Sequence, residues 1–180
     1  MNLARRIFPK PQHFLVVALL LIVFLPGIAQ ATSFTSASVC QSSCNWNSGS
    51  SWTGGDGTNW PSSSADTATI SAGNKVVISS SVTITSGAIS LTAGTSTVTG
   101  RTTLTVNGTL NLASGLTMNG VHTLAMGPGS VLDLNGNTAS TTATDGQYNF
   151  SGTSGSHATI QSTGSAGQFM KTGTSQLIST

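Results

Sequence analysis

The chain has 180 residues, with 6 Lys+Arg, 4 Asp+Glu and 21 Gly. Beyond residue 31 the only charges are Lys75, Arg101 and Lys171 against Asp56, Asp66, Asp133 and Asp145. Three scattered cations cannot neutralise a run of phosphates, so the composition excludes a nucleic-acid partner.

Residues 1–31 read as a secretory signal peptide. Arg5, Arg6 and Lys10 open it, an apolar run follows from Phe14 to Leu25, and Ala29-Gln30-Ala31 supplies the small residues of a cleavage site. The run is shorter than the roughly 20 residues a membrane-crossing helix needs, and no second long apolar segment follows. Cleavage after Ala31 therefore predicts a product that is extracellular or on the outer cell surface, with no membrane span.

Residues 32–65 form an entry segment that holds both cysteines and every tryptophan. Cys40 and Cys44 are expected to pair, because an oxidising compartment favours disulfides and the backbone can turn within four residues. Zinc would need two further ligands that the sequence does not bring near, so no metal and no cofactor is predicted. Trp46, Trp52 and Trp60 have two readings: exposed rings stacking on sugars, or a plug over the open end of the first coil. The plug is favoured, since the segment precedes the strands. Gly54–Asn59 and Asp133–Asn137 look like calcium turns, but each holds one carboxylate and reads as a plain turn.

Residues 66–180 carry short apolar beads. Val76-Val-Ile78, Val82-Thr-Ile84, Ile89-Ser-Leu91, Leu104-Thr-Val106, Leu110-Asn-Leu112, Leu116-Thr-Met118, Leu124-Ala-Met126 and Leu132-Asp-Leu134 succeed one another with no helical period. Side chains alternate faces along a strand, so most beads put two apolar groups inside and one small group outside. Asn107-Gly108, Asn119-Gly120 and Asn135-Gly136 each follow a bead closely, at spacings of 12 and 16 residues. Asn and Gly accept the left-handed backbone of tight turns, and the recurrence reads as an irregular internal repeat. The chain is thus predicted to be all-β. An antiparallel sandwich would use the Asn-Gly pairs as hairpin turns, whereas a parallel β-helix would use them as corners. The β-helix is favoured, because the beads are shorter than typical sandwich strands of about five to six residues.

Trp52-x-Gly54, Pro61, Asp66-x-x-x-Ile70-x-x-Gly73-x-x-Val76-x-Ile78 and Leu104-x-Val106-Asn107-Gly108-x-Leu110 together resemble the entry region of secreted bacterial right-handed β-helix proteins. The pattern is similar in particular to the extracellular eight-glycine domain and to pectin-lyase-like exoproteins, over about Trp46–Asn137. The resemblance implies a Trp/Pro/Asp segment leading into the first coils, with catalysis or binding further along. The chain departs from those families in stopping at Thr180 amid strand-like sequence with no closing cap. Residues 66–180 are therefore expected to be opening coils of something longer.

No catalytic residue is assigned. The chain has no Glu, and its four Asp lie at least ten residues apart, whereas glycoside hydrolysis needs two opposed carboxyl groups. There is no Gly-x-Ser-x-Gly elbow. Asp133 could meet Arg101 or His122 on a coil wall, though nothing in the spacing demands it, and His122 and His157 read as surface residues. The expected function is structural or adhesive, with a Ser/Thr/Asn wall meeting a polysaccharide or another cell-surface polymer, and with self-association through any open edge. The rival expectation is the non-catalytic N-terminal coils of a polysaccharide lyase or hydrolase whose active site lies beyond this chain.

Overall fold

The computed structural model describes residues 30–55, 58–95, 97, 99–142, 145–170 and 176–179. Nearly all of the signal segment lies outside the described residues, as do Asp56 and Lys171. Two 3-10 turns, Ser38–Gln41 and Gly49–Ser51, are the only helical elements among the described residues.

Among the described residues, seventeen short strands follow one another. The first five are β1 (Ser33–Ser36), β2 (Cys44–Asn45), β3 (Trp52–Thr53), β4 (Thr67–Ile70) and β5 (Lys75–Ile78). Next come β6 (Thr83–Ser86), β7 (Ile89–Leu91), β8 (Thr102–Val106), β9 (Thr109–Leu112), β10 (Leu116–Met118) and β11 (Val121–Met126). The last are β12 (Val131–Asp133), β13 (Thr138–Thr141), β14 (Asp145–Phe150), β15 (Thr159–Gln161), β16 (Gln168–Met170) and β17 (Gln176–Ser179). They assemble into three sheets, in the orders β16-β13-β10-β7-β4-β1-β3, β17-β14-β11-β8-β5-β2 and β15-β12-β9-β6. From β4 onward each strand pairs with the strand three places along the chain, always in parallel.

The antiparallel sandwich is thereby corrected. Among the named strands only β1 and β3 pair antiparallel, and none of the three Asn-Gly pairs closes a hairpin. The physical reason is strand length. Three or four residues bury one or two side chains, too few to stabilise a hairpin alone, and parallel stacking joins each short strand to two neighbours.

Pairing without offset makes residues of one type stack. In the first sheet Phe34, Ala68, Ile89, Leu116, Ala139 and Phe169 share one inward column. In the second, Val76, Leu104, Leu124 and Tyr148 share another, beside Ile78, Val106, Met126 and Phe150. In the third, Ile84, Leu110, Leu132 and Ile160 line up. Most of these side chains are wholly buried, so the three inner faces enclose one apolar core. Burial of such a group is worth about 1.5–3 kcal/mol, which lets strands this short persist.

The Asn-Gly pairs sit at three different corners, between β8 and β9, β10 and β11, and β12 and β13. They do not stack on one another, so the spacings of 12 and 16 residues are corner-to-corner distances and no repeat of the coil. The left-handed backbone is present at Gly120 (φ 58°), Asn135 (φ 45°) and Gly136 (φ 79°). Gly108 is required for another reason: a Cβ there would run into the carbonyl oxygens of Val82 and Ser79.

Candidate functional site

The entry segment supplies the terminal strands of two sheets, β3 of the first and β2 of the second. Cys40, buried in the first 3-10 turn, is disulfide-bonded to Cys44 at the start of β2, with Cα atoms 4.8 Å apart. Trp46 is completely buried and its indole N–H donates to the Pro61 carbonyl at 2.8 Å. The Trp52 indole N–H donates to the Trp46 carbonyl at 2.7 Å, and the two rings meet edge to face at 4.9 Å. Both indole donors are satisfied inside the protein and both faces are covered. Trp60 differs, being half-buried and packed against the edge of the core. It is the tryptophan of the three that stays partly exposed.

Polar side chains also tie the entry segment to the turns that precede β4 and β5. Asp66 accepts from the backbone N–H groups of Ser62, Ser63 and Thr32. The Asn74 amide donates to the Ser36 hydroxyl at 2.7 Å and to the carbonyl oxygens of Ser36 and Ala37.

The outer faces are lined with small polar groups in register. On the first sheet Thr35, Thr69, Ser90, Thr117 and Ser140 form one outward column, flanked by Thr67 and Thr138. Neighbouring strands lie about 4.7–4.9 Å apart, so the column is a ladder of hydroxyls at that pitch. No acid or base belongs to it. The second sheet mixes Lys75, Thr103, Thr123 and Gln147 in its outward column. The third sheet stacks Thr85, Asn111, Asp133 and Gln161.

Asp133 is a structural anion of that third wall. It accepts from the Thr163 hydroxyl at 2.7 Å, the Thr163 N–H at 3.0 Å, the Asn135 N–H at 2.9 Å and the Gln161 amide at 3.2 Å. The Thr163 hydroxyl bond does most to hold its pKa down at about 2; burial opposes it, and the backbone and amide donors add to it. A carboxylate held ionised and saturated with donors fixes a corner and has no proton to give.

The surface placement read for His122 is corrected: its side chain is fully buried. His122, Leu124 and Met126 alternate along β11 on one inward face, so the period of two that marks the aliphatic residues marks the histidine as well. Its Nδ1 lies 3.2 Å from the Gly120 carbonyl and its Nε2 lies 3.4 Å from the Tyr148 hydroxyl. Arg101 pairs with Asp145 at 2.6 Å and with neither Asp133 nor a wall acid. The same guanidinium donates to the Asp145 carbonyl at 2.8 Å, reaching past β11 to span three consecutive strands of the second sheet. Asp133 lies in the third sheet and takes no part in this cluster.

A cleft of about 450 Å³ opens at the turn after β14, lined by Phe150, Ser151, Gly152, Thr153, Ser154, His157 and Ala158. It presents hydroxyls, one exposed imidazole and no carboxylate. Among the described residues no three His, Cys, Asp or Glu side chains converge. The chemistry on view is hydrogen bonding through hydroxyls and amides. No family model, no curated protein and no solved structure matches this chain.

Proposed function

We propose that residues 66–180 are coils of a right-handed parallel β-helix in an exported protein, with a structural or adhesive role and uncharged walls that contact glycans. The fold reading rests on strand order, since all three sheets take every third strand. The right hand follows from the strong preference of parallel crossover connections for that sense. The likeness to eight-glycine-domain and pectin-lyase-like exoproteins is proposed at the level of fold alone, because one scaffold hosts many activities. Export is supported by the sequence of residues 1–31 and by the Cys40–Cys44 bridge, which suits an oxidising compartment.

The single observation that carries the glycan reading is the ladder Thr35–Thr69–Ser90–Thr117–Ser140. None of the hydroxyls of Thr69, Ser90, Thr117 and Ser140 has a protein partner among the described residues. They are donors and acceptors in a straight row, matched in kind to the hydroxyls of an extended polysaccharide, while the low charge makes a polyanion a poor partner. Trp60 adds one partly exposed aromatic side chain in the entry segment.

Affinity electrophoresis in gels containing neutral or uronic-acid polysaccharides tests this. The expected result is retardation in at least one neutral polysaccharide, reduced severalfold by Trp60→Ala or by Thr69→Lys with Thr117→Lys. Unretarded migration in every gel would remove the glycan contact and leave a purely structural coil.

A further inference from the structure

The buried group that the proposed function does not use is His122. We propose that His122 is an acid-sensitive latch, whose protonation loosens the two successive coils that begin with β11 and β14 before the rest of the protein.

The argument begins with the hydrogen bonds. The Gly120 carbonyl can only accept, so the imidazole donates from Nδ1. In the neutral ring Nε2 is then an acceptor, and the Tyr148 hydroxyl on β14 donates to it across 3.4 Å. The rings lie edge to face with centroids 5.7 Å apart, and Tyr148 passes the contact on to Phe169 of β16 at 5.5 Å. The neutral tautomer is therefore part of the packing between successive coils.

A second proton would enter at Nε2. The ring is fully buried, with Thr102 of β8 and Gly146 of β14 as its in-register neighbours. The charged and titratable groups that face it are Arg101 just before β8, with Asp145 and Tyr148 on β14. Lys75 of β5 stands in the outward column of the same sheet, and β16 brings Phe169, which does not titrate. The one carboxylate in the group is already held by Arg101 at 2.6 Å, and the Arg101 guanidinium also lies 3.4 Å from the His122 carbonyl. An imidazolium here would meet a cation whose anion is committed, and the Tyr148 hydroxyl would have to turn round to accept. Burial holds the pKa of His122 below 6.5, Arg101 lowers it further, and the Gly120 carbonyl and Asp145 oppose them.

The sign follows from that lowering. The opened coil, with a solvated imidazole, binds its proton near pH 6.5, whereas the closed coil binds it only at lower pH. Between those two values the opened form holds more protons, so acid favours opening and stability rises with pH. One proton coupled in this way raises the opening equilibrium by up to about tenfold per pH unit.

Hydrogen exchange on the full chain from pH 7.5 to 4.5, corrected for the intrinsic pH dependence of exchange, reads this locally. Below pH 6.5, peptides covering 121–126 and 145–150 are expected to lose protection by up to about tenfold per unit, while those covering 67–70 and 75–78 hold theirs. His122→Gln keeps a neutral group of similar reach and is expected to abolish the slope. An equal slope in every strand, or a slope that survives in His122→Gln, would overturn the proposal. Should that variant not fold, the wild-type imidazole nitrogens report directly by NMR. Neutral His122 with its proton on Nδ1 below pH 6.5 supports the latch; titration of His122 at or above 6.5 refutes it.

Discussion

The entry segment and the coils that follow it hold together by different means. Residues 32–65 are fastened by individual contacts: the Cys40–Cys44 bridge, the Trp46 and Trp52 indole donors, and the Asp66 carboxylate on three backbone N–H groups. In the strands that follow, the same task is spread over columns such as Ile78, Val106, Met126 and Phe150, whose inner members Val106 and Met126 have an apolar neighbour on either side. A fastener fails when one residue changes, whereas a column loses only one rung's share. The difference also says where function can vary: exposed outward residues such as Thr117 are under little packing constraint, whereas Asp133 and the entry segment have little such freedom.

The comparison breaks most visibly at Trp46. Trp46→Ala is expected to cost about 3–5 kcal/mol, since it removes a fully buried ring, its bond to Pro61 and its edge contact with Trp52. Urea unfolding measures the loss, and a cost below 1 kcal/mol would show that the end is not closed by this ring. Opening the bridge with Cys40→Ser and Cys44→Ser is expected to cost about 2 kcal/mol by the loop-closure relation for so short a loop, read as a lower melting midpoint. Against these, Ile78→Val removes one methyl group from a coil column and is expected to cost about 1 kcal/mol. An Ile78→Val penalty as large as that of Trp46→Ala would erase the distinction between fastener and column.

The same contrast explains what could be read from the sequence. The beads Ile89–Leu91, Leu104–Val106 and Leu116–Met118 announced their strands because two aliphatic residues flank one small residue, and all three became inward-facing pairs. β13 gave no such notice: Thr-Ala-Ser-Thr has no large apolar group, and it is a strand because β10 and β16 pair with it on both sides. The coil length could not be found by period, because 20 residues separate Leu104 from Leu124 and 32 separate Cys44 from Val76. At the candidate site, the pairing of Cys40 with Cys44 was legible from compartment and spacing. The joining of Arg101 to Asp145 was not, since they are 44 positions apart and only the stacking of β8, β11 and β14 brings them together. His122 departs from a surface reading for a narrower reason: a polar residue ordinarily faces water, whereas its place two before Leu124 puts it on the inner face.

The smallest expected effect concerns acid, and it separates a wall from the core. Asp133 on the third wall is ionised in the folded protein down to about pH 2, against 3.8 for a free carboxyl, because the Thr163 hydroxyl and its companion donors prefer the anion. A depressed carboxylate contributes stability that is fully present above pH 3.8 and is lost as pH falls from there towards 2. Asp133→Asn should therefore lower the plateau of the stability curve above pH 3.8 and flatten its fall below that pH, with no new slope near neutrality. His122 acts in the opposite compartment of the molecule and in another window, starting at pH 6.5. Melting temperatures of the two single variants and the double variant, taken from pH 7.5 to 2, resolve the two phases. Independent corrections, with the double variant losing both, would mean that wall and core sense acid separately. A shift of the phase near pH 6 in Asp133→Asn would mean that the third wall is coupled to the His122 coil, and that the columns transmit strain as well as share load.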